Sequence, residues 1–436
     1  MIEWREAAAG AEGLRLYRLD AESGGFGGPG GRIPSPLAVV LERFDTPTCR
    51  TLLESFGEGG APVGASSFSV ACHVISLPDL MLVVDSTYRT TAPEVFPQAL
   101  DAIARREGRG LADRPIQVLY THAHFDHAGG HGAVEQMGEE VEILAHPYTA
   151  ALFPLVSRRE SFLRTRAVFF RDCGIEVDLD ALGAEVRVHY VRLMQSAGVD
   201  LDRAPWGSLE EGPLRIDRFV DPEGGELPLA GGRIEVFRFD GHIPGHLCVC
   251  VDRAHLVTGD MWLPATTSLV TPGSQAALCG IPVERCGVRR YLESSTRLLG
   301  LDVDECTSYP SHEVIFRNPK RMAMRDLEIF AERASAVGSV LHEHLREPMR
   351  VLDLAWGGRS HLPLWKVEGS VLRLAIAHDE AAAWVQDLVA LGDLREVSPE
   401  RTVWTGRSEL ADRIRAALAE ARRWHADLEF RSRGRA

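Results

Sequence analysis

The stretch Thr121-His122-Ala123-His124-Phe125-Asp126-His127-Ala128-Gly129-Gly130-His131 (THAHFDHAGGH, residues 121–131) decides how the rest of the chain is read. It puts His122, His124, Asp126 and His127 into six consecutive positions. The apolar run PIQVLY just before it reads as a short buried strand, so the cluster falls at a strand-to-helix junction. On such a loop neighbouring side chains need not obey a helix or strand period, and several can converge on one point. Neutral imidazoles and carboxylate oxygens are ligands for zinc, iron or manganese. A loop merely rich in histidine is the ordinary alternative. With 16 histidines in 436 residues, three of them beside an Asp within six positions make chance a poor account.

One loop cannot supply the ligands of two ions, so further His and Asp are expected at strand ends elsewhere. FDGHIPGH offers His242 and His246 after the strand-like RIEVFRF, LVTGDMW offers Asp260, and YPSHE offers His312. Upstream, the buried run in LMLVVDS ends at Asp85.

In this order VVDS, THAHFDH, GHIPGH, TGD and PSHE resemble the metallo-β-lactamase superfamily of metallohydrolases, over roughly residues 65 to 325. The resemblance implies an α/β chain folded as a four-layer αβ/βα sandwich. Carried over residue by residue, it places His122, His124 and His242 on one metal, Asp126, His127 and His312 on a second, and Asp260 between them. The implied cofactor is two divalent metal ions, with Zn2+ expected first and Fe or Mn served by the same ligand types. Such a pair makes hydroxide available at neutral pH, and Asp126 takes the catalytic role of holding it in place. The first element departs from the family pattern, which usually continues with a small residue and Gly; this chain has Asp85-Ser86-Thr87. His246 is expected to pack behind the ligands. His131, His146 and Asp85 stand close enough in sequence to orient ligands, with an ordinary structural role equally open. Tyr88 is a candidate proton donor to the leaving group. His73, His255, His361, His378 and the other remaining histidines are expected to be solvated or hydrogen-bonded.

Outward from the motifs, LAVVLERF (37–44) reads as a strand, FSVACHVISLPDLMLVVDS as a hairpin turning at Pro78-Asp79, and APEVFPQALDAIARREGRG as a helix with a Gly stop. The Gly-rich SGGFGGPGGR (23–32) reads as a loop. Three parts are expected: an N-terminal extension packing on the core (1–62), a catalytic domain (63–345) with a helical insertion at about 147–230, and a winged-helix-like C-terminal domain (346–436). The last rests on a helix, Gly stop, hairpin and final helix, with Leu410, Ile414, Leu418, Ala421 and Trp424 along one face.

Composition narrows the partners. Lys and Arg number 48 against 62 Asp and Glu, a formal net charge of −14, and a field of that sign disfavours generic binding to nucleic acid or anionic membrane. The start MIEWREAAAG lacks the character of a secretory signal, and no apolar stretch is long enough to span a bilayer, so a cytoplasmic location is expected. Eight cysteines spread thinly over the chain read as reduced; Cys248 and Cys250 in LCVCV read as buried small hydrophobes.

The fold hosts many activities, so substrate must be argued from the added segments. No flavin-binding partner domain is recognisable, and the 52 positions from Asp260 to His312 leave no room for a nuclease insertion. The tail resembles the appendage of a subgroup that includes acyl thioesterases and a single-strand ribonuclease. Its Asp379, Glu380, Asp387 and Asp393 make it a poor phosphate-tracking surface, so it is expected to pack on the catalytic domain. In the insertion, Arg158, Arg159, Arg164, Arg166 and Arg171 interleave with Phe153, Phe162, Phe169 and Phe170. They either hold an acyl chain and an anion at the cleft mouth or form an amphipathic helix with a solvated basic face. Trp206 and Trp262 are candidates for the cleft wall or for the core. The leading expectation is a hydrolase of a small-molecule thioester, ester or lactone. The alternatives are a phosphodiesterase or ribonuclease using the same metal pair, and a non-catalytic binding protein of the same fold.

Overall fold

The computed structural model describes residues 2–10, 13–22, 36–56, 69–88, 95–138, 140–156, 163–176, 178–196, 213–221, 227–229, 233–264, 267–344, 347–356, 371–398 and 401–433. Two sheets stack face to face. The first is formed, in spatial order, by β1 (Ile2–Ala9), β2 (Arg15–Glu22), β3 (Ser69–Ser76), β4 (Met81–Val84), β5 (Ile116–Tyr120), β6 (Val141–Ala145) and β7 (Arg218–Phe219). The second is formed by β8 (Leu227–Leu229), β9 (Ile234–Arg238), β10 (Leu247–Val251), β11 (His255–Gly259), β12 (Thr307–Pro310) and β13 (Phe316–Arg317), also in spatial order.

Alternation along the strands explains the stacking, because successive side chains point to opposite faces. In β10, Leu247, Val249 and Val251 meet Leu82, Val84, Leu119 and Leu144 between the sheets. Cys248 and Cys250 face the other way, into a cluster with the helices Val288–Gly300 and Pro319–Glu343. In β3, Val70, Cys72 and Val74 pack beneath the helix Val95–Arg106, which covers the outer face of the first sheet. The result is the expected four-layer sandwich. All eight cysteines are free, and all but Cys279 are buried, as small hydrophobes would be.

Strands β4, β5 and β6 are parallel, as are β11 and β12. Asp85, the 121–131 loop, Asp260 and His312 therefore all follow strand C-termini. The sheets meet at that edge, where Leu247 N–H donates to the Thr121 carbonyl (2.8 Å) and Ala71 N–H to the Ser311 carbonyl (2.6 Å).

The N-terminal stretch contributes to the sheet itself, since β2 pairs along its whole length with β3. LAVVL is not a strand: Pro36–Leu41 is a short helix, with Leu37, Val40 and Leu41 buried against the C-terminal region. A brief apolar run carries no period that separates strand from helix, and Pro at its first position favours the helix. The C-terminal region consists of the helix Val371–Ala390, the hairpin β14 (Leu394–Ser398) and β15 (Arg401–Trp404), and the helix Glu409–Arg433. Leu410, Ile414, Leu418 and Ala421 are buried, with Trp424 packed beside them, on the helices that cover the second sheet.

In the insertion Phe153, Phe169 and Phe170 are core, whereas Phe219 is exposed. Phe153 is buried with the first-sheet cluster, while Phe169 and Phe170 are buried with the second-sheet helices. Trp262 is fully buried against Phe239, so it belongs to the core and not to an open wall. Arg158, Arg159, Phe162, Trp206, His361 and the Gly-rich segment 23–32 lie outside the described residues. His73 departs from expectation: it is buried edge-on to Tyr309 with both ring nitrogens lacking hydrogen bonds, and burial and Arg18 keep it neutral. Among the described residues, no helix is long and apolar enough to cross a membrane.

Candidate metal centre

The 121–131 segment leaves β5 and turns into the short helix Phe125–Ala128, on which the consecutive Asp126 and His127 are both buried. A close approach fixes the turn that follows. A Cβ at Gly130 would collide with the Ser86 carbonyl oxygen, and Gly130 N–H donates to the Thr87 carbonyl (2.8 Å). Asp85 and Thr87 sit at φ 67° and 66°, the left-handed region that glycine favours, so the chain tolerates strain where the family pattern carries Gly.

Seven side chains gather there in two adjoining groups. Donor atoms of His122, His124, His242 and Asp260 lie within 4.8 Å of one another, and so do those of Asp126, His127 and His312. All seven are buried except His124, which is half-buried. In the first group His124 Nδ1 stands 3.0 Å from both His122 Nε2 and His242 Nε2. Three ring nitrogens at that spacing cannot all be satisfied by one proton.

Their outer nitrogens settle which atoms are free to coordinate. His242 Nδ1–H donates to the Leu269 carbonyl (2.9 Å) and His312 Nδ1–H to the Ser69 carbonyl (2.8 Å). His127 Nδ1–H donates to Asp85 Oδ2 (2.9 Å). The Thr121 hydroxyl donates to Asp85, which leaves its oxygen to accept from His122 Nδ1 (3.0 Å). Each of these imidazoles thus turns Nε2 inward, which is how ligating histidines are held.

Asp260 divides its carboxylate between the groups. Oδ2 lies 3.5 Å from His242 Nε2 and 3.9 Å from His122 Nε2, while Oδ1 lies 3.2 Å from His127 Nε2 and 3.5 Å from His312 Nε2. His127 Nε2 and Asp260 Oδ1 are buried without a well-formed hydrogen bond, and buried polar atoms are rarely left so. Divalent ions would satisfy both. The residues therefore fit a metal pair.

The electrostatics differ between the groups. Burial, then its histidine neighbours, push His122 well below its ordinary pKa; burial and His242 push His124 down to about 3, and burial lowers His242. Burial also opposes charge on His127 and His312, but the carboxylates outweigh it. Asp260, Asp126 and Asp85 hold His127 well above its ordinary value, and Asp260 and Asp126 raise His312 to about 10. The second group calls for positive charge, which a proton supplies when no cation does.

Of the neighbouring candidates, Asp85 orients His127 and Thr121. His246 stacks on His122 and accepts the backbone N–H of Asp260 (3.1 Å), supporting the ligands from behind. His131 and His146 have partners of their own. His131 lies 3.0 Å from the Tyr120 hydroxyl and accepts Arg215 N–H, and His146 pairs with Asp221. Tyr88 is buried beside Phe125; burial and the charges of Asp126 and Asp260 push its phenol above its ordinary value, so it keeps its proton. The Thr121 hydroxyl and the Ser69 and Leu269 carbonyls were not anticipated. Thr121 at the head of the motif was a readable signal, whereas a backbone carbonyl carries none.

A search of curated proteins returns no match. Among solved structures, the chain is 17% identical to a beta-lactamase domain protein from Burkholderia ambifaria, over 92% of this chain and 94% of that one, with a TM-score of 0.51. It is 19% identical to a metallo-beta-lactamase family protein from Thermus thermophilus, over 77% of this chain and 94% of that one, with a TM-score of 0.48. At these identities the Burkholderia likeness speaks for a shared fold alone. The sequence pattern of the Metallo-beta-lactamase superfamily matches residues 67–305, more than half of the chain, and that span carries every clustered side chain except His312. The chain therefore belongs to the metallo-beta-lactamase superfamily and is a metal-dependent hydrolase.

Proposed function

We propose that this hydrolase cleaves an acyl bond, a thioester, ester or lactone, in a small-molecule substrate. The observation that carries the reading is the division of the Asp260 carboxylate, one oxygen toward His122 and His242 and the other toward His127 and His312. A carboxylate so shared would serve a cation in each group. Bound there, a divalent pair supplies a Lewis acid for the scissile carbonyl and lowers the pKa of water. Zinc is the first expectation for its identity.

The chain's own groups complete the chemistry. Asp126, beside His312 (3.3 Å), accepts a hydrogen bond from the attacking water and aligns it with the carbonyl carbon. The Tyr88 phenol stays protonated and donates a hydrogen bond to the leaving sulfur or oxygen, which takes its proton from the attacking water. The buried surroundings exclude bulk water and strengthen each of these contacts.

Acyl substrates are favoured over polyanions because, among the described residues, five guanidinium groups in or against the added segments already have carboxylate partners. Arg166 pairs with Asp379 (2.5 Å), Arg289 with Asp387 (2.8 Å), and Arg333 with Glu380. On the last helix Arg413 pairs with Glu409 (3.0 Å) and Arg415 with Asp412. A surface tracking phosphates would keep such groups unpaired. The C-terminal region then acts as a wall of the cleft. Turnover of a panel of acyl thioesters, esters and lactones by metal-loaded protein should exceed turnover of single-stranded RNA. RNA cleavage that co-purifies with the protein while every acyl compound stays inert would replace this reading with the phosphodiesterase one.

A further inference from the structure

We propose that the C-terminal helix Val371–Ala390 is a positioning element for one of the two ions, acting on His242 through residues 269–289. The inference rests on the metal-pair reading above.

His242 is clasped from one side by a short segment. Its Nδ1–H donates to the Leu269 carbonyl (2.9 Å), and its own carbonyl accepts the Thr271 N–H (3.1 Å) and the Thr271 hydroxyl. The Thr271 carbonyl in turn accepts Gly287 N–H (3.3 Å), which closes a loop that runs through the helix Gly273–Ala277. Nothing in this loop is long enough to be rigid alone. A five-residue helix lies well below the length that is stable by itself.

The C-terminal helix supplies the missing rigidity. Asp379, Gln386 and Asp387 are spaced by seven and one, which puts them on one helix face. Gln386 ties two ends of the loop together, with Oε1 accepting Gly273 N–H (2.6 Å) and Nε2 donating to the Val283 carbonyl (3.0 Å). Asp387 is fully buried and accepts both the backbone N–H and the Nε–H of Arg289 (3.0 and 2.8 Å). Asp379 accepts Gln275 Nε2–H (3.0 Å). The fit is close: a Cβ at Gly273 would lie 2.5 Å from Gln386 Oε1, and one at Gly287, where φ is 95°, would lie 2.5 Å from Asp387 Oδ2.

The second group has other supports. His127 leans on Asp85 and His312 on the Ser69 carbonyl, both within the first sheet or directly after one of its strands. The C-terminal helix thus governs the geometry of His242 and leaves Asp126, His127 and His312 untouched.

The test is a titration of the full-length apoprotein with Zn2+ against a chromophoric chelator, which reads affinity without turnover. Wild type should take up two ions. Gln386→Ala, at a half-buried position, should weaken one of them about tenfold, the scale seen when a ligand's outer support is lost, and leave the other in place. Gly273→Ala, which presses on the same contact from the opposite side, should do the same. A cycle assigns the affected ion: Gln386→Ala should weaken the ion remaining in His312→Ala and have no effect on the ion remaining in His242→Ala. Equal weakening of both ions, or unchanged affinity in both variants, overturns the proposal. A wild-type protein that binds no ion overturns the metal-pair reading instead.

Discussion

His122, His124 and His242 meet as neutral imidazoles, whereas Asp126, His127 and His312 alternate in charge across a similar space. The three imidazoles of the first group carry no charge when it stands empty, so the negative charge that draws a cation there comes from Asp260. The second holds carboxylates that burial makes costly unless a cation or a proton stands among them. Their supports differ as well. The first leans through His242 on a loop braced by the C-terminal helix, and the second leans on the first sheet. Asp260 is where the two designs meet, so the centre is one unit with two unequal halves.

The largest effect should come from the residue the halves share. Asp260→Ala removes an oxygen from each group and should release both ions, lowering kcat/KM on the best acyl substrate on the order of a thousandfold, several kcal/mol of lost stabilisation. Elemental analysis showing one ion retained at full affinity would mean that Asp260 serves a single half. Next, His242→Ala and His312→Ala should each leave one ion, with the survivor in the opposite group. If either variant loses both ions at once, the halves are not separable.

Behind the first group, Tyr291 packs on Gly241 and its hydroxyl donates to Asp326. Burial pushes the Asp326 carboxyl up to about 7. The folded state then binds a proton that the unfolded chain releases near pH 4. Stability from this group is complete below that pH and is lost as pH rises through about 7, by up to about 4 kcal/mol. Urea unfolding between pH 4 and 8 should show the decline, and Asp326→Asn should flatten it. An unchanged slope in the variant would remove Asp326 as its source. The smallest change expected is Asp85→Asn. Its amide can still meet His127 but loses the charge, so affinity for the second ion should fall about ten- to a hundredfold, with a smaller loss at the first, whose His122 reaches Asp85 only through Thr121. Equal losses would erase the contrast in supports.

Much of the centre could be read in advance because its ligands obey a local rule. Each motif stands just past the C-terminus of a strand and those strands run toward one edge of the sandwich, so THAHFDH, GHIPGH, TGD and PSHE could be matched to a common place before any contact was known. The helix Val95–Arg106 and the hairpin of β3 and β4 followed from period and turn chemistry in the same way. LAVVL failed because so short an apolar run has no period to speak of. The arginine and phenylalanine interleaving was ambiguous for a related reason: alternation shows which residues differ in polarity, and only packing shows that Phe153, Phe169 and Phe170 point inward.

Sequence alone determined the donor set and its chemistry: which imidazoles and carboxylates are present, that they follow strands, and that their types suit a divalent cation. Only the tertiary structure decided that each Asp260 oxygen faces a different group, that backbone carbonyls of Leu269 and Ser69 set two histidine tautomers, and that Gln386 reaches Gly273 across 113 positions. The reason is physical. Nearly every residue carries the same carbonyl and N–H, so contacts made by the backbone leave no mark on side-chain identity, and their partners are chosen by chain closure over distances that no local pattern spans.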